Sequence, residues 1–80
     1  MRKEIQEFAE EMERIMAKHD AKKGDSWKSP DTFTQRFLIE KFYEETKEAM
    51  QNRADKSEYV DVANICMMLW YRQKEGVVWK

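Results

Sequence analysis

Ile5, Phe8, Ala9, Met12, Ile15 and Met16 recur at intervals of three and four residues, with Glu, Gln, Lys and Arg between them. That spacing is the signature of a helix with one apolar face, and it predicts a first helix over about residues 3–18. The periodicity is lost between His19 and Ser29. This stretch holds Gly24 and Trp27 and gathers Lys22, Lys23 and Lys28 against only Asp20 and Asp25, so it reads as a short basic loop over 19–29. Ser29-Pro30-Asp31 then combines a capping hydroxyl, a proline suited to the first helical turn and an acid at the positive end of the dipole. A second helix is predicted from there over about 30–51, with Phe33, Phe37, Leu38, Phe42, Ala49 and Met50 on one broad stripe. Residues 52–56 form a short connection, and Ser57 or Asp55 can cap a third helix reaching about residue 75, where Gly76 is a suitable stop. The tail Val77-Val78-Trp79-Lys80 is apolar enough to be expected against the body or a partner chain. The expectation is an all-α domain spanning 1–80, an antiparallel bundle of about three helices per chain with no internal repeat.

Composition narrows the partners. Eighty residues carry 15 Lys plus Arg against 16 Asp plus Glu, a formal charge of -1. A balanced chain lacks the field that draws nucleic acid or an anionic membrane, so neither is an expected partner. A domain this short buries only about 60 to 65% of its unfolded surface, which makes completion of the bundle by homo-oligomerisation the expectation. Cys66 has no second cysteine to pair with and sits in the run Ile65-Cys66-Met67-Met68-Leu69-Trp70. It reads as a small buried hydrophobe in a reducing compartment. One Cys and one His cannot build a zinc site. The N-terminal residues are charged where a signal peptide is apolar, and no apolar run approaches about 18 residues; the expected location is cytoplasmic.

The acidic residues depart from the pattern of a solvated surface. Glu45 and Glu48 on the second helix, and Glu58 and Asp61 on the third, are each three apart and so share a helix face. At about 100° per residue, Glu45 falls near Leu38, Phe42 and Ala49, with Glu48 at the edge of that stripe. Glu58 and Asp61 fall with Ile65, Met68 and Leu69. Charged helices usually turn their acids to water and pair them with lysine. Beside that reading stands a second, in which the two pairs turn toward the packed side and face each other, where carboxylates need raised pKa values, basic partners or a bound cation. Four hard oxygen ligands suit Mg²⁺, with Mn²⁺ as an alternative. Lysines in the basic loop would suit the phosphates of a substrate bridged to such an ion.

Glu44-Glu45-Thr46-Lys47-Glu48 followed by Glu58-Tyr59-Val60-Asp61 resembles the Glu-Glu-x-x-Glu and Glu-x-x-Asp motifs of the MazG-like nucleoside triphosphate pyrophosphohydrolases, an all-α superfamily. Asp61-Val62-Ala63-Asn64 and Lys23-Gly24-Asp25-Ser26-Trp27 are also similar to segments of small family members, so the likeness spans about residues 18 to 70. The resemblance implies Mg²⁺-dependent cleavage of a nucleotide between its α and β phosphates, giving monophosphate and pyrophosphate, in a house-cleaning or pool-controlling role. It implies metal ligation by Glu45, Glu48, Glu58 and Asp61, with Glu44 and Glu45 serving catalysis. Lys23, Trp27 and Asn64 become the candidates for phosphate, base and sugar contacts. It further implies a homodimer or homotetramer with pockets near subunit contacts. Two features depart from the family pattern: only nine residues separate Glu48 from Glu58, and a substantial fourth helix is missing. The alternatives are a non-enzymatic helical module that docks a protein through Met67, Met68, Trp70 and Trp79, and a nucleotide-binding relative without turnover.

Overall fold

The polar residues after Lys18 do not end the first helix. In the computed structural model, which describes residues 1–76 apart from the side chain of Lys23, α1 runs Lys3–Lys23. Every residue from Ala17 to Lys22 is exposed, so no apolar repeat marks this last turn and a half. The helix stops at Gly24, whose φ of 56° and ψ of -142° lie in a region essentially restricted to glycine. Its N–H donates to the Asp20 carbonyl oxygen at 3.0 Å. The expected loop therefore shrinks to Gly24, Asp25 and a single 3₁₀ turn, Ser26–Lys28.

The second helix starts later than its most obvious signal. Ser29 does act on its neighbours: its Oγ accepts from the Asp31 N–H at 3.3 Å and its carbonyl from the Phe33 N–H at 2.9 Å. These bonds close a turn around Pro30. α2 runs Gln35–Gln51, and its N-cap is Thr34, whose Oγ1 accepts from the Phe37 N–H at 3.1 Å. After a four-residue connection, α3 runs Lys56–Lys74. Of the two candidate caps it is Asp55 that serves, its Oδ1 accepting from the Ser57 N–H at 3.0 Å and from the Ser57 hydroxyl at 2.7 Å. Gly76 follows the helix with a φ of 70°. The tail 77–80, expected to pack on the body or a partner, lies outside the described residues.

α3 is the central element: both α2 and α1 pack on it, and the 3₁₀ turn touches its far end. Met16, Trp27, Leu38, Ala49 and Val60 form a small apolar core, joined by buried Gln35, Asn64 and Arg72. Two parts of the predicted apolar pattern remain outside it. Ile5 and Phe8 are exposed on the N-terminal half of α1. Cys66, expected to be buried, is exposed. The run Ile65–Trp70 is apolar on all sides of the helix, whereas α1 and α2 cover only part of α3. Cys66 and Trp70, four residues apart, share the uncovered face, and Trp70 is 62% exposed. Among the described residues, the chain is all-helical with three α-helices, and no helix is long and apolar enough to cross a membrane.

Candidate active site

The short connection between α2 and α3 folds the two acidic pairs onto each other. One carboxylate oxygen from each of Glu45, Glu48 and Glu58 lies within 4.8 Å of the other two. Glu45 and Glu58 are half-buried, whereas Glu48 stands at the exposed edge that its helical phase predicts. Glu58 Oε2 is shielded from solvent and has no hydrogen-bond partner among the described residues. For an oxygen shielded from solvent and without a donor among the described residues, a cation is one of the few groups that would satisfy it.

Asp61 belongs to the same electrostatic group. Partial burial pushes the Glu45 carboxyl above the usual range, and the charges of Glu48, Asp61 and Glu58 push it further, with Lys41 pulling the other way. Glu58 is raised by partial burial, then by Glu48, Asp55 and Asp61. Asp61 is raised by burial above all; His19 on α1 opposes the shift, while Glu48 and Asp55 add to it. Asp55 itself moves down, because both Ser57 bonds favour its ionised form. Half-buried Glu45, Glu58 and Asp61, with exposed Glu48 at their edge, thus form one set of like charges.

Beside this set, a cleft of about 310 Å³ opens between α1, the 3₁₀ turn, α2 and α3. Glu45 and Asp61 form its acidic end, Trp27, Phe33 and Phe37 supply ring walls, and His19 and Lys41 bring nitrogen to two of its sides. Trp27 is 7% exposed and packs edge-on against Tyr71 with ring centroids 5.4 Å apart. Lys28 Nζ lies 5.5 Å from the Trp27 ring centroid. The Trp27 indole Nε1 has no acceptor among the described residues. Asn64, 4% exposed, also lines the cleft. Its Nδ2 donates to the Met12 carbonyl at 3.4 Å, tying α3 to α1, and its Oδ1 is unpartnered among the described residues.

The residues singled out from sequence fall into three groups. Glu45, Glu48 and Glu58 come together, Asp61 stands outside that trio but within its electrostatic reach, and Trp27 and Asn64 line the adjoining cleft. Glu44 is exposed and stands apart from the converging acids, forming an ion pair with Lys41 at 3.4 Å. Lys23 is the last residue of α1, and its side chain lies outside the described atoms. His19, Lys41, Phe33 and Phe37 were not singled out as site residues. His19 falls in a stretch without periodicity, and the two phenylalanines read as ordinary core positions. No protein-family model, curated protein or solved structure matches this chain.

Proposed function

We propose that this protein is a Mg²⁺-dependent nucleotide pyrophosphohydrolase of the MazG-like kind, cleaving (deoxy)nucleoside triphosphates to monophosphate and pyrophosphate. The observation that carries the reading is the convergence of carboxylate oxygens of Glu45, Glu48 and Glu58, the last with a buried Oε2 that has no partner among the described residues, at the edge of a ring-walled cleft. An all-oxygen donor set suits a hard divalent cation, and Asp61 completes four candidate ligands. A cation held there supplies charge neutralisation to the phosphoryl oxygens.

The chain's own groups divide the remaining work. Trp27, Phe33 and Phe37 offer faces for a planar base, and Asn64 Oδ1 offers an acceptor at the same wall. Lys41, steadied by Glu44, and His19 flank the space where the phosphates extend toward the acids. Glu45, its carboxyl raised by burial and like charge, is the group that would take a proton from water. The water oxygen bonds to the α phosphorus as the bond to the α–β bridging oxygen breaks, and that oxygen leaves with pyrophosphate. No side-chain nucleophile is needed. Self-association is part of the proposal, since a second copy would cover the exposed Ile5 and Phe8 of α1.

Incubation with a panel of ribo- and deoxynucleotides and Mg²⁺, with product identification, tests the reading. Monophosphate and pyrophosphate are expected, in amounts lost from the double variant Glu45→Ala, Asp61→Ala. Wild type indistinguishable from that variant on every nucleotide would overturn it. The exposed Trp70 favours one rival, a docking module without catalysis. Calorimetry separates the two, because Mg²⁺ binding abolished by the same double variant belongs to the enzyme alone.

A further inference from the structure

Arg72 is fully buried, 0% exposed, in the last turn of α3. Its Nη1 donates to the Phe33 carbonyl oxygen at 2.6 Å, while Nε and Nη2 have no partner among the described residues. The helix C-terminus favours a cation there, but a guanidinium with two donors unpaired among the described residues is a costly way to fill apolar space. A methionine would fill it without that penalty. What the methionine cannot do is hold the Phe33 carbonyl. In a longer α2, that carbonyl would accept from the Phe37 N–H; here the Phe37 N–H turns to Thr34 Oγ1. The helix consequently begins at Gln35, and the Phe33 and Phe37 rings meet at a tilt of 40° with centroids 5.0 Å apart. Both rings line the cleft, whereas Arg72 is not among its lining residues. The preceding residue, Tyr71, holds the Trp27 wall.

We propose that Arg72 is a positioning residue of the cleft: through the Phe33 carbonyl it sets the Phe33–Phe37 wall, and so the affinity for the nucleotide, without touching the ligand. The inference rests on the nucleotide reading for its kinetic consequence, but its structural part stands apart from it. With the full chain, Mg²⁺ and a nucleotide that is turned over, Arg72→Met is expected to raise KM about tenfold with kcat within about twofold, the pattern of lost uniform binding. Mg²⁺ affinity measured without nucleotide should not change, and the melting temperature should stay level or rise. Arg72→Lys, which keeps the cation and a donor, is expected to return KM to within about threefold of wild type.

Amide and indole NMR spectra give the second readout, with the Phe33, Thr34 and Phe37 amides and the Trp27 indole expected to shift in Arg72→Met. If wild type turns over no nucleotide, the enzymatic reading fails while these spectra still decide the role of Arg72. Wild-type resonances at those positions in a folded Arg72→Met, or wild-type KM, would overturn the inference. So would an Arg72→Met that no longer folds, because the arginine is then needed for the fold itself. A folded Arg72→Lys that behaves like Arg72→Met would likewise remove the hydrogen bond as the cause.

Discussion

Glu45, Glu58 and Asp61 share one physical condition: each loses solvent and faces like charge, and each is raised in consequence. A carboxyl raised on folding binds more protons in the native state than in the unfolded one between its two pKa values. Stability from these groups is therefore complete below the ordinary carboxylate range and is lost as pH rises through the raised values. A cation that needs ionised ligands offsets that loss. The increment in melting temperature produced by about 10 mM Mg²⁺ should consequently grow from pH 5 to pH 8, and thermal melts across that range measure it. With an affinity near 1 mM the increment is about 1.4 kcal/mol, or about 5–10 °C for a domain of this size. Glu45→Gln should raise the metal-free melting temperature by about 2–4 °C, the roughly 0.5 kcal/mol left after solvent screening, and shrink the Mg²⁺ increment. A protein whose melting is indifferent to Mg²⁺ at every pH would remove the cation from the site.

At the scale of the helices, the ends matter more than the middles. α2 and α3 each begin on a side-chain cap, Thr34 and Asp55. Thr34→Ala removes the acceptor for the Phe37 N–H and should cost about 1 kcal/mol in urea denaturation, whereas Ser29→Ala, which removes the longer 3.3 Å bond from the Asp31 N–H outside the helix, should stay within about 0.5 kcal/mol. Equal costs at the two positions would place the start of α2 at the earlier signal. Residues 29–34 contain two competing cap sequences, and local propensity does not choose between them. The phase of the helices, by contrast, was legible. The inward position assigned to Glu45, Glu58 and Asp61 and the edge position of Glu48 follow from 100° per residue, and the half-buried and exposed side chains match. His19 was invisible to the same reasoning, since a helix exposed on all sides has no phase to read.

For the molecule as a whole, α1 and α2 lean on α3 and leave the cleft between them. The core is small, and the first half of α1 carries Ile5 and Phe8 into solvent. Burial of that stripe against a second copy predicts a dimer or tetramer in sedimentation velocity. Phe8→Glu should shift the population to monomer, with weaker thermal stability at low protein concentration. A wild-type monomer at tens of micromolar would contradict it. The exposure of Cys66 and Trp70 belongs to this scale as well, because burial on a helix that is apolar all round depends on how many neighbours cover it.

Local rules were enough for the all-helical class, the number of helices, the stop at Gly76, and the pairing of acids on two faces, since each depends on residues within a few positions of one another. They did not reach the features that join distant segments. Arg72 takes the carbonyl of Phe33, 39 residues earlier, and α2 begins at Gln35 rather than at Pro30. Asp61 on α3 comes under the influence of His19 on α1, and the cleft acquires its walls from four separate elements. These arrangements depend on which surfaces meet in space, and a buried hydrogen bond or a shared electrostatic field outweighs local propensity wherever they do.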